Sequence, residues 1–355
     1  MMRRYRRYWS LLAGLLILAP LLVTLFAPPT EVVREGEWRP IAPAPNVPKN
    51  WPDWQALPTV IDAYAQDHFG LRTQMIRAQS IITHKWLDND GRWAAVGHQG
   101  WLFLKSDAMI QQSAGLLVRD AQVDETADFL AALQHALAAQ GTRFLVAMPP
   151  NSASVYGDML PKWARNVGRP TEYDRMIADL TARGVPVVDL RPALKASRAE
   201  GAVYLEHDTH WSARGALAGF NATVDAAGHP DWRLDPAASL GPPAPRIGGD
   251  LARMLGLTND VTEDTRPLAL PSSAPGGPPT IIILGDSFTA TYFQPMGQAK
   301  GVVFHIMHHQ QCAFDWTLVE RIHPTEVWWM PTERFMLCLP GARPISWPLP
   351  RTPSS

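Results

Sequence analysis

The stretch Ile281-Ile282-Ile283-Leu284-Gly285-Asp286-Ser287-Phe288 sets a serine directly after a run of large apolar residues and a Gly-Asp step. If the run is a buried strand and a helix follows, the Ser287 hydroxyl stands exposed at a strand end. Its backbone N–H then lies at a helix N-terminus, where it stabilises an oxyanion. A helix-capping serine in a plain turn is the other reading. A second stretch, Glu206-His207-Asp208-Thr209-His210-Trp211-Ser212, puts a carboxylate and an imidazole two residues apart on one side of an extended loop. Asp208 would orient His210, and His210 would take a proton from a serine. Two further readings stay open: a metal cluster of His207, Asp208 and His210 completed by His305, His308 or His309, and a solvated loop ahead of a helix capped by Ser212. Adjacent His207 and Asp208 point to opposite sides of an extended segment, which speaks against the metal. Triad chemistry requires only that serine, histidine and acid meet in space, here in the chain order Asp208, His210, Ser287.

Periodicity predicts the elements that would bring them together. Asp124 to Gln140 reads as an amphipathic helix stopped by Gly141, followed by a strand from Arg143 to Met148 and the break Pro149-Pro150. Thr171 caps a helix running to Arg183, Val185 to Leu190 is the next strand, and Ser212 caps a helix to about Ala227. Residues 229 to 279 are Pro-rich with little periodicity and read as a long loop or insertion. Thr280 to Leu284, Gly301 to Met307 and Glu326 to Met330 complete the strands. Such alternation predicts an α/β fold with a doubly wound, mainly parallel sheet and a site at the carboxyl ends of its strands. Upstream, Val60 to Trp86 follows a helical spacing, and Gly97 to Leu104 reads as a turn feeding a short strand.

The 355 residues are 46% hydrophobic with a net charge of −1, enough to bury a large core and without the basic footprint of a nucleic-acid binder. Four of the cations are Arg3, Arg4, Arg6 and Arg7, followed by an uncharged run from Tyr8 to Thr30. That pattern predicts a membrane-spanning helix with its basic flank in the cytoplasm and the remaining chain outside. The run ends Leu25-Phe26-Ala27-Pro28-Pro29, which lacks a cleavage site, so an uncleaved signal-anchor is expected. The expected organisation is an anchor at 1–30, a Pro-rich tether at 31–58, one catalytic domain at 59–345 and a tail at 346–355. Cys312 and Cys338 form an even pair in an oxidising compartment, which predicts a disulfide, with two buried free thiols as the rival.

Several blocks carry a resemblance. Asp67-His68-Phe69-Gly70-Leu71-Arg72, Gly100-Trp101-Leu102-Phe103, Asp208-Thr209-His210-Trp211-Ser212, Gly249-Asp250-Leu251 and Leu284 to Phe288 are similar to blocks of the alginate O-acetyltransferases, SGNH-hydrolase-like proteins that modify bacterial exopolysaccharides. The resemblance runs from about residue 60 to 340. It implies Ser287 as nucleophile, His210 as base and Asp208 as orienting acid, with no cofactor and no metal. With the chain stopping soon after Glu333-Arg334, the short membrane-anchored type is expected, placed in the bacterial inner membrane with its catalytic domain in the periplasm. Partners implied are the exopolysaccharide acceptor, a separate membrane-bound O-acyltransferase as acetyl donor, and other polysaccharide synthesis and export proteins. The family layout also supplies an oxyanion-hole Gly and Asn, for which Asn151 and Gly249 hold suitable positions, beside a surface-turn reading of each. Arg334 either contacts an acidic polymer or pairs with Glu333 or Glu326, and Trp211 either stacks on a sugar ring or fills the core. The expected function is acetyl transfer to hydroxyls of an alginate-like or cellulose-like polymer through a serine acyl-enzyme. A polysaccharide acetylesterase with the same triad and a non-catalytic scaffold of an export complex are the alternatives.

Overall fold

The computed structural model describes residues 2–26, 41–86, 93–165, 168–271, 279–308 and 316–339. The chain divides into two compact units, residues 1–91 with 252–260, and residues 92–251 with 261–355.

The first unit opens with helix α1 (Met2–Phe26), which contains Pro20. Leu15, Ile17, Leu18, Leu21, Leu22 and Phe26 of α1 are exposed. Among the described residues, no helix is long and apolar enough to cross a membrane, so the expected span is met only as a helix. Helix α2 (Trp51–His68) begins earlier than periodicity predicted. Its cap is Asn50, whose side chain accepts the Asp53 N–H at 3.0 Å, and Pro52 falls in the first turn, where a missing N–H costs nothing. Residues 51–58, expected as the end of the tether, therefore lie in α2. Helix α3 (Arg72–Ser80) follows, and its Arg77 pairs with Asp260 at 2.6 Å.

The second unit starts with an antiparallel hairpin of β1 (Ala94–Val96) and β2 (Leu102–Leu104). Then come α4 (Met109–Ser113), α5 (Asp120–Ala138), β3 (Arg143–Val146), α6 (Ser152–Val155), α7 (Glu172–Ala182), α8 (Arg191–Arg198) and α9 (Ala213–Ala226). The region read as a long loop holds α10 (Pro236–Ser239), an antiparallel hairpin of β4 (Ala244–Ile247) and β5 (Thr262–Thr265), and between them the start of α11 (Asp250–Met254). The chain closes with β6 (Ile281–Gly285), α12 (Ser287–Ala299), β7 (Phe304–His308), α13 (Trp316–Ile322) and β8 (Glu326–Met330).

Strands β3, β8, β6 and β7 lie in that order in one parallel sheet. All of β6 and β8 is buried, as continuous apolar runs must be when helices cover both faces. Alternation sorts the side chains. Ile282, Leu284, Val327 and Trp329 join the cluster with Leu130 and Leu133 of α5 and Met176 and Leu180 of α7. On the opposite face Trp328 packs on Phe304, which meets Phe220 of α9, and Phe220 meets Phe293 of α12. The parallel sheet with helices on both faces matches the expected α/β class. Among the described residues, the segment Val185 to Leu190, expected as a further strand, makes only one bridge, Val187 to Val146. Pro186 has no N–H to extend the ladder, and the chain turns into α8 at Arg191.

Because Ile283 is fully buried in β6, Ile283→Ala should lower unfolding free energy by about 2–5 kcal/mol in urea titrations. Val47→Ala, at an exposed position, should change it by less than about 0.5 kcal/mol.

Candidate active site

The end of β6 aims the serine. Gly285 allows the turn because a Cβ there would sit 2.3 Å from the Thr289 hydroxyl. Asp286 caps α12, its Oδ1 accepting the Phe288 N–H at 2.9 Å and its Oδ2 accepting the Thr332 N–H at 2.8 Å and the Thr332 hydroxyl. Ser287 is thus the first residue of α12, and its N–H is one of the free donors of a helix N-terminus.

The histidine arrives on the loop ahead of α9, which Ser212 caps by accepting the Gly215 N–H at 3.2 Å. Trp211 is fully buried, so the sugar-stacking reading of this residue does not hold. Its indole lies parallel to Phe293 at 6.0 Å, fills space over Gly219 where a Cβ would come within 2.8 Å, and donates Nε1–H to the Phe288 carbonyl at 3.1 Å. This wedge fixes the His210 loop to the helix that carries Ser287. His210 Nε2 lies 2.8 Å from Ser287 Oγ, and Nδ1 lies 2.7 Å from Asp208 Oδ1, which also accepts the His210 N–H at 3.0 Å. With a carboxylate facing Nδ1, that nitrogen carries the proton and Nε2 is left to accept from the serine hydroxyl.

The other oxygen of Asp208 accepts from Arg246 Nη2 at 2.7 Å and from the Asp250 N–H at 3.1 Å. Burial alone would raise the Asp208 carboxyl, but hydrogen bonds from His210 and Arg246 override it and hold the group well below the usual carboxylate range. Asp250 caps the same loop, accepting the Thr209 N–H at 2.7 Å and the Thr209 hydroxyl, with Oδ2 3.5 Å from His210 Nδ1. Burial and the neighbouring Asp208 charge push Asp250 up. Gly249, at φ +150, packs where a Cβ would stand 2.1 Å from the His207 carbonyl oxygen, so it lets the hairpin approach the acid's backbone. Asp208, His210 and Asp250 bring possible metal-ligating atoms within 4.8 Å of one another, yet each carboxylate oxygen there already accepts from an N–H or O–H donor. His207, of the metal reading, instead faces Glu263 at 4.0 Å, and His309 lies outside the described residues.

Asn151 and Arg334 sit just beyond β3 and β8, at the same edge of the sheet as Ser287. Asn151 is fully buried; its Nδ2 donates to Ser113 Oγ at 3.3 Å, and its Oδ1 has no hydrogen-bond partner among the described residues. Arg334 lies over the Phe288 ring at 5.2 Å and near the Phe335 ring at 5.0 Å. It does not pair with Glu333, whose carboxyl turns inward to the Asn151 N–H at 2.7 Å and the Ser154 hydroxyl at 2.7 Å, nor with Glu326, which binds Arg143 and His229. Cys338 carries no free thiol; Cys312, its expected partner, lies outside the described residues. Arg246 is not marked by the sequence, and Glu333 is marked there only as an ion-pair partner for Arg334. The only hint of the first was the nearby Gly249-Asp250-Leu251 block, and a lone Glu beside a strand end signals nothing more.

The model of the family described as SGNH hydrolase-like domain, acetyltransferase AlgX, matches residues 94–295. The chain is 29% identical over 179 residues to the probable alginate O-acetylase AlgJ of Pseudomonas putida, covering 48% of this chain and 44% of that protein. It is 27% identical over 131 residues to the protein of that name from Pseudomonas aeruginosa, covering 37% and 32%. The match thus spans less than half the length of these relatives. The solved structure of Pseudomonas aeruginosa AlgX superposes with a TM-score of 0.50 at 18% identity over 69% of this chain and 62% of that one, a likeness of fold.

Burial pushes the Glu333 carboxyl up to about 7. A carboxyl raised in the folded state stabilises it fully below the unfolded value and loses that contribution as pH rises through the folded one. Between about pH 5 and pH 8 the wild type should therefore lose on the order of 2–3 kcal/mol of unfolding free energy relative to Glu333→Gln, measured by urea titration at both values.

Proposed function

The chain belongs to the alginate O-acetyltransferase family of SGNH hydrolase-like domains, and from that membership we propose that it moves acetyl groups onto hydroxyls of a bacterial exopolysaccharide through an acyl-enzyme on Ser287. The observation that carries the proposal is the unbroken hydrogen-bonded chain from Asp208 through His210 to Ser287, with links of 2.7 and 2.8 Å. A scaffold has no use for such a chain. In the first half-reaction His210 Nε2 takes the hydroxyl proton as Ser287 Oγ attacks the acetyl carbonyl, and the same proton leaves with the donor's departing oxygen. Charge on the tetrahedral oxygen is met by the Ser287 N–H at the start of α12. In the second, His210 takes the proton of a sugar hydroxyl as that oxygen attacks the acetyl-serine, and returns it to Ser287 Oγ. Asp208 holds the imidazole and offsets its charge while the proton is on it.

The acceptor class, alginate-like or cellulose-like, and the donor, a membrane-bound O-acyltransferase, are part of the same proposal. So is the placement, with α1 anchoring the chain in the inner membrane and the catalytic unit in the periplasm. What supports the anchor is the sequence pattern of Arg3, Arg4, Arg6 and Arg7 ahead of the uncharged run Tyr8 to Thr30, a basic flank beside an apolar stretch.

Ser287→Ala and His210→Ala should each cut release of acetate from an activated acetyl ester by at least about 10³-fold without lowering the melting temperature. Asp208→Asn should lose as much or less. Adding an oligouronate or cello-oligosaccharide should accelerate breakdown of the acyl-enzyme and yield acetylated sugar, detected by mass spectrometry. Fast deacetylation of an acetylated polymer with no acetylated acceptor formed would assign the triad to an esterase. For the anchor, a reporter active only outside the cytoplasm, fused after Thr30, should be active, and a cytoplasmic reporter should be silent.

A further inference from the structure

The two oxygens of Asp208 serve different partners. Oδ1 faces His210, while Oδ2 takes Arg246 Nη2 at 2.7 Å. Arg246 lies on β4 opposite Glu263 of β5, and its Nη1 donates to Glu263 Oε1 at 3.1 Å. The second oxygen of Glu263 accepts the Glu206 N–H at 2.6 Å, two residues ahead of Asp208 on the same loop. The hairpin therefore grips the base-bearing loop twice, once at Glu206 and once at the acid itself. A guanidinium that binds two carboxylates with separate N–H arms defines position and direction, which a single flexible ammonium does not.

The grip also alters charge. In an unshared Asp–His pair the whole carboxylate charge stabilises the imidazolium. Here a fixed cation stands on the far side of that carboxylate. Burial would lower the Arg246 guanidinium, but the charges of Asp208 and Glu263 raise it, so it stays charged throughout. The other groups facing His210 are Asp250, with Oδ2 3.5 Å from Nδ1, the Thr209 hydroxyl at 3.3 Å from Nδ1, and from α12 the Ser287 hydroxyl and the Phe288 ring. Arg334 stands over that ring, and Tyr292, in the field of Arg246 and Asp208, has its phenol pushed up by burial and is neutral.

Resting on the acyl-transfer reading above, we propose that Arg246 is a positioning residue of the reaction: by holding the second oxygen of Asp208 it keeps His210 aligned on Ser287 and favours the proton-accepting form of the imidazole over the charged one. Arg246 acts through Asp208, so its removal alters turnover and the pH profile and leaves ester binding alone.

The test is the pH profile of acetate release from an activated acetyl ester by the full chain, for wild type, Arg246→Gln, Arg246→Lys and Ser287→Ala, each checked for folding by thermal unfolding. Arg246→Gln should lower the plateau kcat about 10-fold and move the acidic limb up by about one pH unit, with KM unchanged. Arg246→Lys, which keeps the charge without the two-armed geometry, should hold the acidic limb at the wild-type position and still show a reduced plateau. An unmoved limb in folded Arg246→Gln overturns the proposal. Should Arg246→Gln not fold, an undiminished plateau in Arg246→Lys does so instead. Wild-type turnover in Ser287→Ala would overturn the acyl-enzyme reading itself, whereas an inactive Ser287→Ala beside an unshifted Arg246→Gln would remove only the role of Arg246.

Discussion

A carboxylate that is 5% exposed, as Asp208 is, keeps its charge only if donors replace the water it has lost. Four do so: the backbone and ring N–H groups of His210, Nη2 of Arg246 and the N–H of Asp250. They come from the loop itself, from a hairpin strand and from the first residue of a short helix. Satisfying one buried charge therefore gathers three separate pieces of chain and fixes the ring plane of His210. The hydrogen-bonded row from Asp208 through His210 to Ser287 is a consequence of that gathering.

Two more buried carboxyls do for the sheet edge what Asp208 does for the loop. Asp286 caps α12 and reaches across to Thr332 beyond β8, so the ends of β6 and β8 are tied together. Glu333 accepts the Asn151 N–H, while its own N–H donates to the Pro149 carbonyl at 2.8 Å, which ties β8 to β3. Trp211 completes the set by joining the histidine loop to α12 through both packing and its Nε1–H. Because parallel strands all end at one edge, these links hold every group of the site in one layer.

The central strands were legible because Ile281 to Leu284 and Glu326 to Met330 are runs with few other uses than a sheet buried on both faces. Asp208, His210 and Ser287 were legible as candidates because a strand-turn-serine and an Asp-x-His are local patterns, and the structure brings the three side chains into one hydrogen-bonded row. Trp211 is ambiguous in sequence: an indole beside a candidate base serves a core or a sugar equally well, and only Gly219 and Phe293 in space decide it. The Val185 to Leu190 strand failed because one proline removes a ladder donor whatever the hydrophobic pattern. Arg246 and the buried role of Glu333 could not be read, since their partners lie 38 and 182 residues away in the chain and nothing local marks a long-range ion pair or a buried carboxyl.

On the proposed mechanism Ser287 carries the acetyl group between donor and acceptor. Acid-quenching the full chain milliseconds after mixing with an activated acetyl donor, then mapping the modified peptide by mass spectrometry, tests it most directly. A single acetyl ester on Ser287 should accumulate before steady state and be missing in His210→Ala. Acetate release at the full rate with an unmodified Ser287 peptide at every time point would contradict it.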